Sequence, residues 1–136
     1  VKSPKVYLSD SGLLHGLLNL PAQQDLESHP KVGASWEGFV IEQLIVHLRA
    51  EPEECFFWAT QSGAELDLLV VRGRKCRGFE IKRTAAPAVT PSMRHALTDL
   101  KLDSLDVVHA GESTYHLQEN IRAVACARLT RDVASL

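Results

Sequence analysis

The chain has a single methionine, Met93, and does not open on one; it begins VKSPKVYLSDSG. Such a start is expected of the end of a longer protein. Cysteine is sparse: Cys55, Cys76 and Cys126 form no CxxC pair and their number is odd. That argues against a disulfide framework and for reduced, partly buried thiols in a cytoplasmic protein. No apolar run approaches the roughly 18 residues of a membrane span, and no signal-peptide pattern is present. A positive excess is also missing. Fifteen Lys and Arg stand against 17 Asp and Glu, a formal net charge of -2. A histone-like coating of nucleic acid is thereby excluded, and any such contact falls to a local patch. The six histidines show neither HxxxH nor HxH spacing, so the zinc-binding patterns are absent. No GxxxxGK followed by Ser or Thr occurs, which rules out a P-loop nucleotide site within this stretch. Ser11 and Ser62 lack the His/Asp context of a nucleophilic serine.

What remains is an ordinary globular balance, 45% apolar and 24% charged over 136 residues. That is enough for one domain with a proper core, taken as residues 1–136. There are no repeats, low-complexity segments or linkers. VYL (6–8) reads as a short extended piece. Ser9 or Asp10 caps a helix carrying Leu13, Leu14, Leu17 and Leu18, and Pro21 ends it. Residues 21–33 read as a polar loop. Residues 34–50 read as a long amphipathic helix capped by Ser35. Val40, Ile41, Leu44 and Leu48 form its apolar stripe, with Glu37 inside the stripe and Glu42 on the solvated side. Three strands follow: 55–60, 65–71 and 76–83. TPSMRHALTDLKL then forms a helix with Thr90 as cap and Pro91 at its first position. LDVVHAG (105–111) is a further strand, and YHL and RAVACARL are candidate extended pieces. The order helix, three-stranded meander, helix, strand predicts an α/β layer arrangement, a mixed sheet flanked by helices.

The chemistry-bearing residues lie on the second and third strands. A period of two puts Glu65, Asp67, Leu69 and Val71 on one face of the second strand. If the hairpin turns on Gly73-Arg74, Val71 opposes Cys76 and Asp67 opposes Glu80. In GFEIKRT (78–84), Phe79 and Ile81 point one way and Glu80 and Lys82 the other. Three carboxylates, Glu37, Asp67 and Glu80, then approach one lysine. Lys82 neutralises only one of them, and a buried unpaired charge costs several kcal/mol. A divalent cation with hard oxygen ligands, Mg²⁺ or Mn²⁺, would compensate the rest. Taken singly, Glu80 and Lys82 also suit a solvent-facing ion pair, and Glu37 a first-turn acid favoured by the helix dipole. Asp67 is harder to dismiss, because Asp is disfavoured in strands.

The array Glu37, Asp67, Glu80, Lys82 resembles the helix Glu, Asp and E-x-K positions of the PD-(D/E)xK nuclease superfamily, with Leu66 where the proline of the name would stand. KSPKVYLSDSGLL, GASWEGFVIEQL, FFWATQSGAELDLLV, FEIKRT and YHLQENIRAVACARL together resemble a prokaryotic domain of unknown function that usually sits C-terminal to an AAA-type P-loop ATPase module. The resemblance implies a restriction-endonuclease-like core. It implies Mg²⁺ or Mn²⁺ on Asp67 and Glu80 with support from Glu37, Lys82 assisting attack of water on a phosphodiester, and an ATPase in the same full-length chain. Gln61, Ser62, Gly63 and Glu65 match the smaller family's motif before the Asp. Members of this fold also serve as non-cutting modules for DNA or protein binding.

RGRKCRGFEIKR (72–83) adds a local basic stretch. Arg72, Arg74, Lys75, Arg77 and Arg83 are candidate contacts to a phosphate backbone, DNA first. The same charges equally suit a solubilising hairpin tip that blunts a sheet edge. Arg94 and Lys101 could extend the patch.

Overall fold

The structure, a computed structural model, describes residues 6–8, 10–19 and 22–136, without the side chain of Leu26. Ser9 and Pro21, assigned above to the cap and stop of the first helix, lie outside the described residues. That helix, α1, spans Ser11–Leu17. Asp10 caps it, its Oδ1 accepting from the Leu13 N–H at 2.9 Å.

The segment expected as a loop contains a short helix, α2 (Gln23–Ser28). Within it Gln23 Nε2 donates to Glu27 at 2.7 Å, an i,i+4 bond that supports the turn. The long helix α3 runs Val32–Leu48. It starts earlier than expected, and Ser35 is not its cap. Ser35 sits inside the helix, buried, with its Oγ hydrogen-bonded to His15 Nε2 of α1 at 2.6 Å. A serine close to a helix start invites a capping assignment, and here a tertiary contact claimed it instead. The stripe Val40, Ile41, Leu44, Leu48 is buried as expected.

Six strands form one sheet: β1 (Cys55–Ala59), β2 (Glu65–Arg72), β3 (Lys75–Lys82), β4 (Ser104–His109), β5 (Tyr115–Gln118) and β6 (Ile121–Ala125). The spatial order is β1-β2-β3-β4-β6-β5. β1, β2 and β3 form an antiparallel meander, β3–β4 and β4–β6 are parallel, and β5 folds back antiparallel on β6. The parallel β3–β4 step requires a crossover, supplied by α4 (Pro91–Asp99). Thr90 caps α4, its Oγ1 accepting from the Met93 N–H at 3.3 Å. A short last helix, α5 (Leu129–Asp132), follows β6.

The molecule is thus mixed α/β, a mixed sheet flanked by helices, with a core on each face. α3 packs Val40, Leu44 and Leu48 against Leu68, Val70, Phe79, Ile81, Val108 and Val124. On the other face Met93 and Ala96 of α4 meet Leu66, Leu69, Leu102, Leu105, Val107 and Ile121. The two faces explain why β4 is buried along most of its length. Among the described residues no helix is long and apolar enough to cross a membrane.

Candidate functional site

The β2–β3 hairpin has the expected register. Val71 pairs with Cys76, Leu68 with Phe79, and Arg72 with Lys75, leaving Gly73-Arg74 as a two-residue turn. Gly73 has φ 60°, the left-handed value that the first position of a type II′ turn reserves for glycine. Continuing this register sets Asp67 beside Glu80. Their carboxylates do not simply face one another, however. Asp67 Oδ2 accepts the backbone N–H of Ile81 at 2.9 Å, so the side chain serves as an acceptor to the next residue along β3.

The reason is a bulge. Phe56 of β1 pairs with Leu69 and Trp58 with Leu66. Two steps on β1 therefore span three on β2, and one extra residue is accommodated at Asp67–Leu68. The strict alternation expected for β2 fails there. Leu66 joins Leu69 in the α4-side core, while Leu68 and Val70 enter the α3-side core. An unbulged strand would have put Leu66 with Leu68. The bulge re-aims Asp67 at the end of β3.

On β3 the expected alternation is intact: Phe79 and Ile81 enter the α3-side core, and Glu80 and Lys82 occupy the opposite parity. Glu80 is only 3% exposed and Asp67 only 7%, so the bland assignment of a solvated pair does not describe Glu80. Lys82 Nζ lies 2.6 Å from Glu80 Oε1. Burial works against the charge on Lys82. The hydrogen bond and charge of Glu80 oppose it, with Asp67 and then Glu37 adding, and the net shift is upward. Lys82 is therefore a firm ammonium in the field of all three acids. Glu37, half-buried in the first half of α3, accepts a hydrogen bond from the Tyr7 hydroxyl. Glu42 is half-buried too, and its charge acts near Cys55 rather than at Lys82.

The donor set is carboxylate oxygen throughout, the chemistry that suits Mg²⁺. Among the described residues no three His, Cys, Asp or Glu side chains stand close enough to hold one metal ion. The residues present fit a cation carried by one or two carboxylates, with water completing its shell, better than a three-carboxylate cage.

The motif before Asp67 has a structural part to play. The Thr60 N–H donates to the Ala64 carbonyl at 2.8 Å, and Thr60 Oγ1 accepts from the Ala64 N–H at 3.0 Å. Gln61, Ser62 and Gly63 form the exposed tip of this turn, which delivers Glu65 and Asp67 to the start of β2.

The basic stretch divides. Arg72 is held against the fold by Glu54, at 2.7 and 2.6 Å, and by the Arg49 carbonyl at 2.7 Å. Arg77 donates to the Ala134 carbonyl at 2.6 Å and to buried Asp106 at 3.2 Å, and lies over the Phe79 ring. Arg74, Lys75 and Arg83 are exposed. Arg74 and Lys75 are at the hairpin tip, the far end of β3 from Lys82, whereas Arg83 adjoins it. Arg94 and Lys101 are exposed as well.

Two residues near the site carried no sequence signal as partners. Tyr7 was legible only as part of an extended piece. His109 pairs with Lys82 across the parallel β3–β4 ladder. It is buried, with Nε2 3.0 Å from the Ser113 carbonyl and Nδ1 accepting the Gly111 N–H at 3.1 Å. It thereby orders the loop at the carboxyl end of β4, next to the carboxylate–lysine cluster. The three cysteines are free and half-buried, and burial pushes each thiol up, away from nucleophile chemistry.

The fold and these contacts define a mixed α/β protein with an acidic, lysine-bearing cluster at the carboxyl end of β3. Residues 32–129 match the family described as "Domain of unknown function (DUF4143)", and the chain belongs to that family. It is similar to "Uncharacterized protein Rv2008c" of Mycobacterium tuberculosis and "Uncharacterized protein Mb2031c" of Mycobacterium bovis, 49% identical to each over 123 residues. The match covers 90% of this chain and 27% of each relative, so the chain spans about a quarter of the length of the curated relatives it matches. No solved structure matches.

Proposed function

We propose that the chain is a nuclease-type domain that hydrolyses phosphodiesters of nucleic acid, DNA first, on a restriction-endonuclease-like core of the PD-(D/E)xK kind. The observation that carries this reading is Lys82. Its ammonium lies 2.6 Å from buried Glu80, within the field of Asp67 and Glu37, at the carboxyl end of a strand paired in parallel. Ligand sites of open α/β sheets favour such strand ends.

Asp67 and Glu80 would hold Mg²⁺ or Mn²⁺, with Glu37 supporting its waters. Bound there, the cation would supply Lewis-acid stabilisation of the phosphate and a more acidic water. Lys82 stays protonated through the neutral range, which suits it to donate hydrogen bonds to a phosphate oxygen or to orient the attacking water, and not to act as general base. Tyr7 holds Glu37 in place. The Asp67 acceptor bond to Ile81 ties the β2 acid to the strand that carries Glu80 and Lys82.

The expected result is cleavage of plasmid or single-stranded DNA with Mg²⁺ or Mn²⁺ and none in EDTA. A loss of about a hundredfold or more is expected in Asp67→Ala, Glu80→Ala and Lys82→Ala, the scale of removing a group that stabilises transition-state charge. Absence of cleavage together with absence of cation binding by titration would end the enzyme reading. Cleavage unchanged in the variants would identify a contaminant.

A second reading is favoured by Lys82 closing on Glu80 and by the absence of a three-acid cluster among the described residues. In it the fold is catalytically silent and binds DNA or docks on a partner. In either reading we place an AAA-type P-loop ATPase module in the longer chain; relatives almost four times the length of the match leave room for one.

A further inference from the structure

α1, α2 and α3 leave a groove of about 450 Å³ between them, its walls including His15, Gln23, Glu27, Trp36, Phe39 and Arg83. This volume lies in the range that accepts a small organic ligand. Arg83, on the groove wall, is the residue after Lys82 in the chain.

The lining is mixed. Phe39 is 42% exposed and borders the groove, so its ring is open to a ligand there. Trp36 packs against the α3-side core and also borders the groove. Its Nε1–H is buried and has no hydrogen-bond partner among the described residues. Arg83 is exposed and cationic. Gln23 and Glu27 are hydrogen-bonded to each other at 2.7 Å on the α2 wall.

We propose that this groove is a base-stacking subsite, and that the nucleic acid presented to the acidic cluster is single-stranded. The inference rests on the nucleic-acid reading above and adds the strandedness of the substrate. A nucleobase stacks on Phe39 beside Trp36, Arg83 takes the phosphate that leads toward Lys82, and the α2 amide and carboxylate meet base-edge hydrogen-bond groups. Glu27 repels a phosphate at the α2 wall, which orients the nucleotide with its phosphate toward Arg83. Aromatic faces beside a cation recur in sequence-tolerant single-strand binding, because every base has a π-face. A duplex keeps its bases stacked internally and has none to insert.

The test is binding of a labelled oligothymidylate and of a duplex of equal length to the 136-residue chain, in EDTA so that binding is read apart from cleavage. The single strand is expected to bind at least about tenfold tighter. Phe39→Ala should weaken single-strand binding about 5- to 150-fold, the range for losing one stacked base, and change duplex binding less than about twofold. Phe39→Leu, which keeps apolar bulk without the ring, should lose as much as the alanine variant. In a Trp58→Phe background the remaining tryptophan, Trp36, should be quenched by the oligonucleotide. Arg83→Ala should reduce the salt slope by about one. Circular dichroism checks that each variant folds.

Single-strand binding unchanged in Phe39→Ala, a preference for duplex, or full affinity in Phe39→Leu would overturn the subsite. Single-strand binding with these signatures but no cleavage under any cation would leave the subsite standing and overturn only the enzyme reading. No single-strand binding would overturn the subsite, while the enzyme reading stands or falls on the cleavage and cation titration described above.

Discussion

At the scale of single residues, the charges divide into those that act on the fold and those free to meet a ligand. Arg72 belongs to the first kind. Its guanidinium grips Glu54 with two bonds, and that hydrogen bonding, with the Glu51 backbone adding to it, lowers the Glu54 carboxyl to about 2. A carboxylate depressed in the folded state adds stability above its ordinary pKa, and loses that contribution as pH falls from there through the folded value. An NMR titration should therefore give Glu54 a midpoint of about 2 in the native chain, rising toward the ordinary carboxylate range in Arg72→Ala. An unshifted midpoint in the native chain would show that the pair does not persist in solution. Sequence alone offered Arg72 and Arg77 as phosphate contacts or as solubilising charges of the hairpin tip. Nothing local distinguishes an arginine aimed at a ligand from one aimed at Glu54 or Asp106, because the partner lies 18 or 29 residues away.

At the scale of elements, β2 and β3 show how a hairpin can be legible in register and still surprising in detail. The two-residue turn at Gly73-Arg74 specifies every pair beyond it. The bulge at Asp67–Leu68 depends on how β1 docks against β2 and has no signature in β2 itself. Gly78 shows the same dependence on context. A Cβ there would stand 2.6 Å from Leu102 Cδ1 and 3.2 Å from Leu66 Cδ2. Both leucines are buried, so neither has room to retreat. Gly78→Ala is expected to lower unfolding stability by about 1–3 kcal/mol through overpacking, with a reduced urea midpoint and an unchanged slope. An unchanged midpoint would mean that the α4-side core is looser than these distances indicate.

At the scale of the whole molecule, the end of the sheet opposite the acidic cluster is fastened by buried Asp106. The residue is 1% exposed. Arg122 binds it with two bonds of 2.9 Å and Arg77 with one of 3.2 Å. The same arginines reach the Ala134 and Asp132 carbonyls, so β3, β4, β6 and the last residues are tied at one point. Removing the acid strands two guanidiniums, one of them largely buried. Asp106→Ala is expected to cost about 3–5 kcal/mol by chemical denaturation, the scale of breaking a buried ion pair. A loss below about 1 kcal/mol would mean that solvent already screens both arginines. Lys82 and His109 stand at the carboxyl ends of the central strands β3 and β4, away from this fastening, where the candidate chemistry lies.

Local periodicity and turn chemistry encode one part of this architecture. The buried stripe of α3, the Thr90-capped start of α4, the β2–β3 register and the shared parity of Glu80 and Lys82 are of this kind. Each depends on residues within about one hairpin or a few helical turns of one another, which is the range over which spacing carries geometry. Tertiary structure alone decided the parallel pairing of β4 with β3 and β6, the bulge that turns Asp67, the Tyr7 bond to Glu37, the occupation of Arg72 and Arg77, and the aromatic groove beside Arg83. These join elements distant in sequence, where many partners satisfy the same local pattern and packing selects among them.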